Sequence, residues 1–213
     1  MYTRRFFYAL LGLTAVVVAG CTPTTDVSRN IGLDIGPVAD APRQNWDFAE
    51  LVVNVPRSLI VSEAHGIKPR ADIVWREEAP GDRYAQVEGI MRGGLEPALS
   101  SMNGDIPVQV VVEVTRFHAL TEKARYTIGG VHAVQFKLTL VDPETGAALT
   151  EPRLIKADFK AYGGARAISA ERSGLTQKVR ITDRIAEVIQ QELSNPGSTT
   201  TAGLGLMGVI NQI

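Results

Sequence analysis

The chain has 213 residues, 22 Lys plus Arg against 23 Asp plus Glu, 45% apolar content and one cysteine. A net charge of -1 with globular apolar content excludes a disordered acidic protein, and a pI near 6.3 leaves no cation excess to displace counterions from phosphate, so no nucleic acid is expected as a partner. A single Cys makes neither an internal disulfide nor a Cys-based zinc site.

Arg4 and Arg5 precede fifteen uncharged residues, Phe6 to Gly20, rich in Leu, Val and Ala. A positive start followed by an apolar run too short to span a bilayer is the pattern of a secretory signal, assigned to residues 1–20. Its removal leaves 20 basic and 23 acidic side chains, a net charge of -3. The run ends in Val18-Ala19-Gly20-Cys21, which resembles the lipobox of bacterial lipoproteins, with Val18 where Leu is commonest. The resemblance implies a thioether-linked diacylglyceryl group on Cys21, removal of the preceding peptide, acylation of the new amino terminus, and membrane attachment through that lipid. Thr22 follows the Cys in place of the Asp that retains such proteins in the inner membrane of enteric bacteria. The resemblance therefore implies the cell envelope, facing the periplasm, with the inner leaflet of the outer membrane ahead of the inner membrane. Thr3-Arg4-Arg5-Phe6-Phe7 also resembles the start of a twin-arginine signal, and two adjacent Arg equally suit an ordinary one, so both export routes stay open.

Residues 21–45, rich in Thr, Pro, Asp and Gly, read as the lipidated Cys and a flexible tether, whose r.m.s. span would be about 25–30 Å. The alternation of Ile31, Leu33 and Ile35 is equally that of an extended segment packed along the domain. Residues 46–195 suit one domain. Within it, Leu51 to Val55, Ser58 to Ser62 and Ala71 to Trp75 read as strands. Asp82 is placed to cap a helix whose apolar stripe is Tyr84, Val87, Met91, Leu95, Ala98 and Met102, with a kink or break expected at Gly93-Gly94 and Pro97.

Val108, Val110, Val112 and Val114 alternate with polar residues, as do Val134, Phe136, Leu138 and Leu140. Two period-two runs predict an antiparallel pair with one buried face. Asp142-Pro143-Glu144-Thr145-Gly146 suits a tight turn, after which Ile155, Ala157, Phe159 and Ala161 predict a third antiparallel strand. Ile181, Ile185, Val188, Ile189 and Leu193 predict a second amphipathic helix, ended by Asn195-Pro196-Gly197. The fold class is thus α+β: an antiparallel sheet of about four to five strands with two amphipathic helices packed on one face. Residues 196–213 are expected to be a mobile C-terminal tail.

No Gly-x-Ser-x-Gly, His-Glu-x-x-His, P-loop or EF-hand pattern occurs, and lipidation would consume Cys21, so the chain reads as non-catalytic, without cofactor or metal. The segment Arg116 to His132 stands out. Strands paired about a centre near Arg125 would set His118 opposite His132, both on the valine face, where with Arg116, Arg125 and Tyr126 they would form a polar cluster suited to an anionic ligand or, less well with only two His beside Arg116, a metal. The alternative is that these residues satisfy the sheet end, and a bulge at Gly129-Gly130 would separate the two His. Trp75 is read either as an exposed aromatic anchor for a partner or as a core residue at a strand end.

Val53 to Ser62, Asp72 to Trp75 and Arg116 to His132 resemble segments of a family of small uncharacterised bacterial lipoproteins, a resemblance that brings no catalytic residues. The order of elements is more distantly similar to the α+β domains of envelope accessory lipoproteins, including transport auxiliary subunits and the amino-terminal domain of TolB-like proteins. The functional expectation is a membrane-anchored accessory subunit that binds another envelope protein. A periplasmic binder of a small or lipid ligand is the alternative, ahead of a hydrolase without a recognisable motif.

Overall fold

The computed structural model describes residues 45–199 and residue 204; the expected signal, lipobox, tether and most of the C-terminal tail lie outside the described residues. The chain divides into two units, Met1–Asp40 and Ala41–Ile213, and every described residue belongs to the second. Its elements in order are β1 (Trp46–Asn54), β2 (Ile73–Val74), α1 (Arg83–Leu99), β3 (Ile106–His118), α2 (Glu122–Arg125), β4 (Gly130–Val141), β5 (Arg153–Lys156), β6 (Phe159–Ala161), α3 (Gly164–Arg172) and α4 (Gln177–Ser194). The sheet runs β1-β3-β4-β5, with β2 also on β3 and β6 also on β4.

The expected α+β class holds, and the centre of the sheet is the antiparallel pair β3–β4, in which Val110 faces Leu140, Val112 faces Leu138 and Val114 faces Phe136. These six side chains are all but fully buried, because the period of two puts every second residue under the helices. The sheet is mostly rather than wholly antiparallel, since β1 and β2 both run parallel to β3. Parallel neighbours need a crossover, and α1 provides it between β1 and β3.

Ser58 to Ser62 is not a strand; it contributes one isolated bridge, Val61 to Ile73, and otherwise belongs to a long connection. The expected third antiparallel strand divides into β5 and β6 at Ala157-Asp158, where the chain keeps one ladder bond, Ala157 N–H to the Val134 carbonyl at 2.8 Å.

Asp82 caps α1 as expected, its carboxylate accepting from the backbone N–H of Tyr84 and Ala85. The helix then runs unbroken through Gly93, Gly94 and Pro97. Gly94 has a packing reason: a Cβ there would lie 2.7 Å from the Thr182 carbonyl and 2.9 Å from the Ile185 Cβ of α4. The glycine is a point of close approach between the two helices rather than a break. Thr176 caps α4, whose Ile181, Ile185, Val188 and Ile189 are fully buried against α1 and the sheet.

Candidate functional site

A β-bulge at Thr115 decides where the two histidines go. Val114 faces Phe136 but Arg116 faces Gln135, so β3 carries one extra residue, and each later side chain changes face. Phe117 therefore joins the core, while Arg116 and His118 turn to the other face, and His118 sits opposite Ala133 rather than His132. The expected cross-strand His118–His132 pair is corrected on this point: the insertion lies at Thr115, not at Gly129-Gly130, and the two rings lie on opposite faces of the sheet.

His132 stays on the helix face. It is 1% exposed, packs on Phe159 with ring centroids 4.9 Å apart, and neither ring nitrogen has a hydrogen-bond partner. Burial, with Arg180 and Arg125 adding repulsion, lowers its pKa to about 3, so the ring is neutral at ordinary pH. Arg125, at the end of α2, is also buried, and its guanidinium meets Glu77 at 3.4 Å and Glu171 at 3.2 Å while donating to the Tyr126 hydroxyl. Arg125 is thus committed to tying α2 to α3 and to the connection after β2. The Tyr126 ring is 44% exposed, with its hydroxyl donating to Glu171.

On the other face, His118 Nε2 stands 3.0 Å from the Pro69 carbonyl. A carbonyl only accepts, so that nitrogen carries the proton, and burial, assisted by the charges of Arg116 and Lys68, holds the imidazole below its usual range. His118 is a strut under the 56–72 connection. Three more contacts pin that connection. The Asp72 carboxylate accepts from the Ile60 N–H at 2.8 Å, the Thr121 hydroxyl donates to the Gly66 carbonyl, and Glu63 receives both Arg83 and Arg76 at 2.7 Å. Between the pinned connection and β3 lies a cleft of about 600 Å³ lined by Ile60, Lys68, Pro69, Arg70, Asp72 and Arg116. Arg116 alone of the expected polar cluster lines it. Glu63 and Arg83 were not singled out in the sequence, because Glu63 stands 13 and 20 positions from its partners Arg76 and Arg83 and no local pattern joins them; Arg70, on the cleft, carries no motif either.

Trp75 is fully enclosed, with its ring edge-on to Phe117 at 5.8 Å and its indole N–H donating to Glu78. Of its two readings the structure has the core residue, since a side chain with no accessible surface presents nothing to a partner. Cys21 lies outside the described residues.

Gly129-Gly130, weighed in the sequence as a bulge, and Gly163-Gly164 form two glycine pairs. They meet: a Cβ on Gly163 would fall 2.1 Å from the Gly129 nitrogen, and Gly129 itself has φ +73°. This backbone contact brings α3 against the α2–β4 connection. Among the described residues, no group of three or more His, Cys, Asp or Glu is placed to hold a metal ion, and no helix is long and apolar enough to cross a membrane.

Residues 46–209 match the model of a family described as "Family of unknown function (DUF6778)", and the chain belongs to that family. The expected membership of an uncharacterised family is borne out. Two solved structures are remotely similar. One is a candidate lipoprotein from Caulobacter crescentus CB15, at 17% identity over 50% of this chain and 80% of that one, with a TM-score of 0.33. The other is a Xanthomonas campestris protein of family DUF330, at 12% identity over 70% and 84%, with a TM-score of 0.37. No curated protein matches the chain.

Proposed function

We propose that this protein is a lipid-anchored lipoprotein of the cell envelope, held through Cys21 on the periplasmic face of the outer membrane, and that its domain serves as a non-catalytic accessory subunit docking on another envelope protein. The lipobox-like Val18-Ala19-Gly20-Cys21 supports the anchor, and Thr22 supports the outer membrane.

One observation carries the docking role. The Tyr126 hydroxyl bonds Glu171, and Gly164 lies against the Thr127 carbonyl, so the stripe Gly164, Ile168, Glu171 of α3 runs beside residues 126–128. Along it Tyr126, Ile168 and Ile128 are 44%, 37% and 69% exposed. Three large apolar side chains in one line on a soluble surface mark an interaction site. The glycine contact and the Arg125–Glu171 pair hold that line in shape, which lowers the ordering cost of docking.

A photoreactive amino acid at position 168 or 128, and at Leu149 as a control about as exposed as Ile168, tests this in intact envelopes. One discrete protein adduct from positions 168 and 128, and none from 149, is expected. Adducts with lipid alone, or the same adducts from all three positions, would contradict it.

A further inference from the structure

The cleft between the 56–72 connection and β3 has a charge pattern that neither the anchor nor the docking strip uses. Arg70 and Arg116 both line it, beside one carboxylate, Asp72, that already accepts from the Ile60 N–H. Among the described residues neither Arg70 nor Arg116 forms an ion pair, and Arg116 Nε is buried without a hydrogen-bond partner. Two guanidinium groups on one cleft, neither in an ion pair among the described residues, make it a place of positive potential that favours an anion. Asp158 is near enough for Arg116 to oppose the upward push that burial exerts on its pKa, yet its carboxylate receives Gln135 at 2.9 Å and makes no ion pair with Arg116. The crowding is mutual. Burial and the charge of Arg116 hold the Lys68 ammonium below its usual range.

The rest of the lining is apolar: Ile60, 64% exposed, with Pro69 and Ala71. The walls are fixed before any ligand arrives, because His118 holds Pro69 and Asp72 holds Ile60. We propose that this cleft is a binding site for a phosphate-bearing amphiphile, with the phosphate on Arg116 and Arg70 and the apolar portion along Ile60, Pro69 and Ala71. Planar guanidinium forks match phosphate oxygens two at a time, so Arg rather than Lys carries the recognition. About 600 Å³ accommodates a headgroup and the first part of an acyl chain, in the range of small-molecule pockets. The site shares no lining residue with the docking strip and does not depend on it.

The test is calorimetric titration of the full exported chain in a neutral detergent with dihexanoyl phosphatidylglycerol, dihexanoyl phosphatidylcholine and glycerol 3-phosphate. Saturable binding of the phosphatidylglycerol is expected, about tenfold or more tighter than either of the others and weakening with salt. Arg116→Gln should weaken it about tenfold and Arg116→Lys less. Arg70 is exposed, so Arg70→Gln tests the cleft without threatening the fold, and it should weaken binding by a similar factor. Equal affinity for phosphatidylcholine, equal affinity for glycerol 3-phosphate, or unchanged binding by Arg70→Gln and Arg116→Gln would overturn the proposal.

Discussion

His132 illustrates how far one residue's environment departs from what its type suggests. A lone imidazole beside Arg125 and Tyr126 reads as a polar cluster member, but the ring is fully buried, packed at a tilt against Phe159 and unpartnered at both nitrogens. Its folded pKa of about 3 lies below the roughly 6.5 of the unfolded chain, so the unfolded state binds the extra proton between those values. Stability from this group is complete above about pH 6.5 and falls as pH drops towards 3, with a slope of about 1.4 kcal/mol per pH unit. Glu63 and Glu78, whose carboxyls are held low by Arg83 and by Lys178 and Trp75, add losses of the same sign at lower pH, and Asp158, pushed up by burial, opposes them. His132→Phe removes only the imidazole. Its stability at pH 7.5 should lie within about 1 kcal/mol of wild type, since the ring is replaced by one of similar shape with no polar atoms to satisfy. Urea melts from pH 7.5 to 4 should show a shallower acid limb for the variant; parallel curves would contradict the buried, neutral assignment.

At the level of elements, the two helices and the central pair were legible because each has a single buried face, and burial repeated at 2.0 or 3.6 residues leaves a mark in the sequence. What stayed hidden had no period. The parallel direction of β1 depends on α1 carrying the chain back across the sheet, and the Leu51 to Val55 run reads the same either way. Thr115 is an ordinary strand residue by type, so nothing announced the bulge that moves Arg116 and His118 to the other face. Gly94 was misread for a related reason: its role is contact with a helix about ninety positions later. Paired substitutions in α1 separate packing from propensity. Gly89 has nothing within 4 Å of a Cβ, so Gly89→Ala should stabilise by about 0.5–1 kcal/mol through helix propensity alone. Gly94→Ala gains the same propensity but drives a methyl into Thr182 and Ile185, and should destabilise by about 1–3 kcal/mol. Thermal melts of both variants check this, and a stabilised Gly94→Ala would mean that α1 and α4 are not in close contact there.

For the molecule as a whole, the domain carries two surfaces of opposite character: the apolar line of Tyr126, Ile168 and Ile128, and the cationic cleft beside Arg116. Residues Arg116 to His132, which stood out in the sequence, supply parts of both, although the polar cluster expected from them divides between two faces of the sheet. Both surfaces acquire a purpose if the domain is held beside a membrane and its resident proteins, and that rests on Cys21. Each buried methylene of an attached acyl chain contributes about 0.8 kcal/mol, so two or three chains fix the protein to the bilayer while one change of sulfur to oxygen releases it. The direct measurement is growth with labelled palmitate followed by membrane fractionation of the wild-type chain and of Cys21→Ser. The wild-type protein should carry label and sediment with outer membranes, and the variant should be unlabelled and either soluble or retained as precursor; an unlabelled, wholly soluble wild-type protein would contradict the lipid anchor.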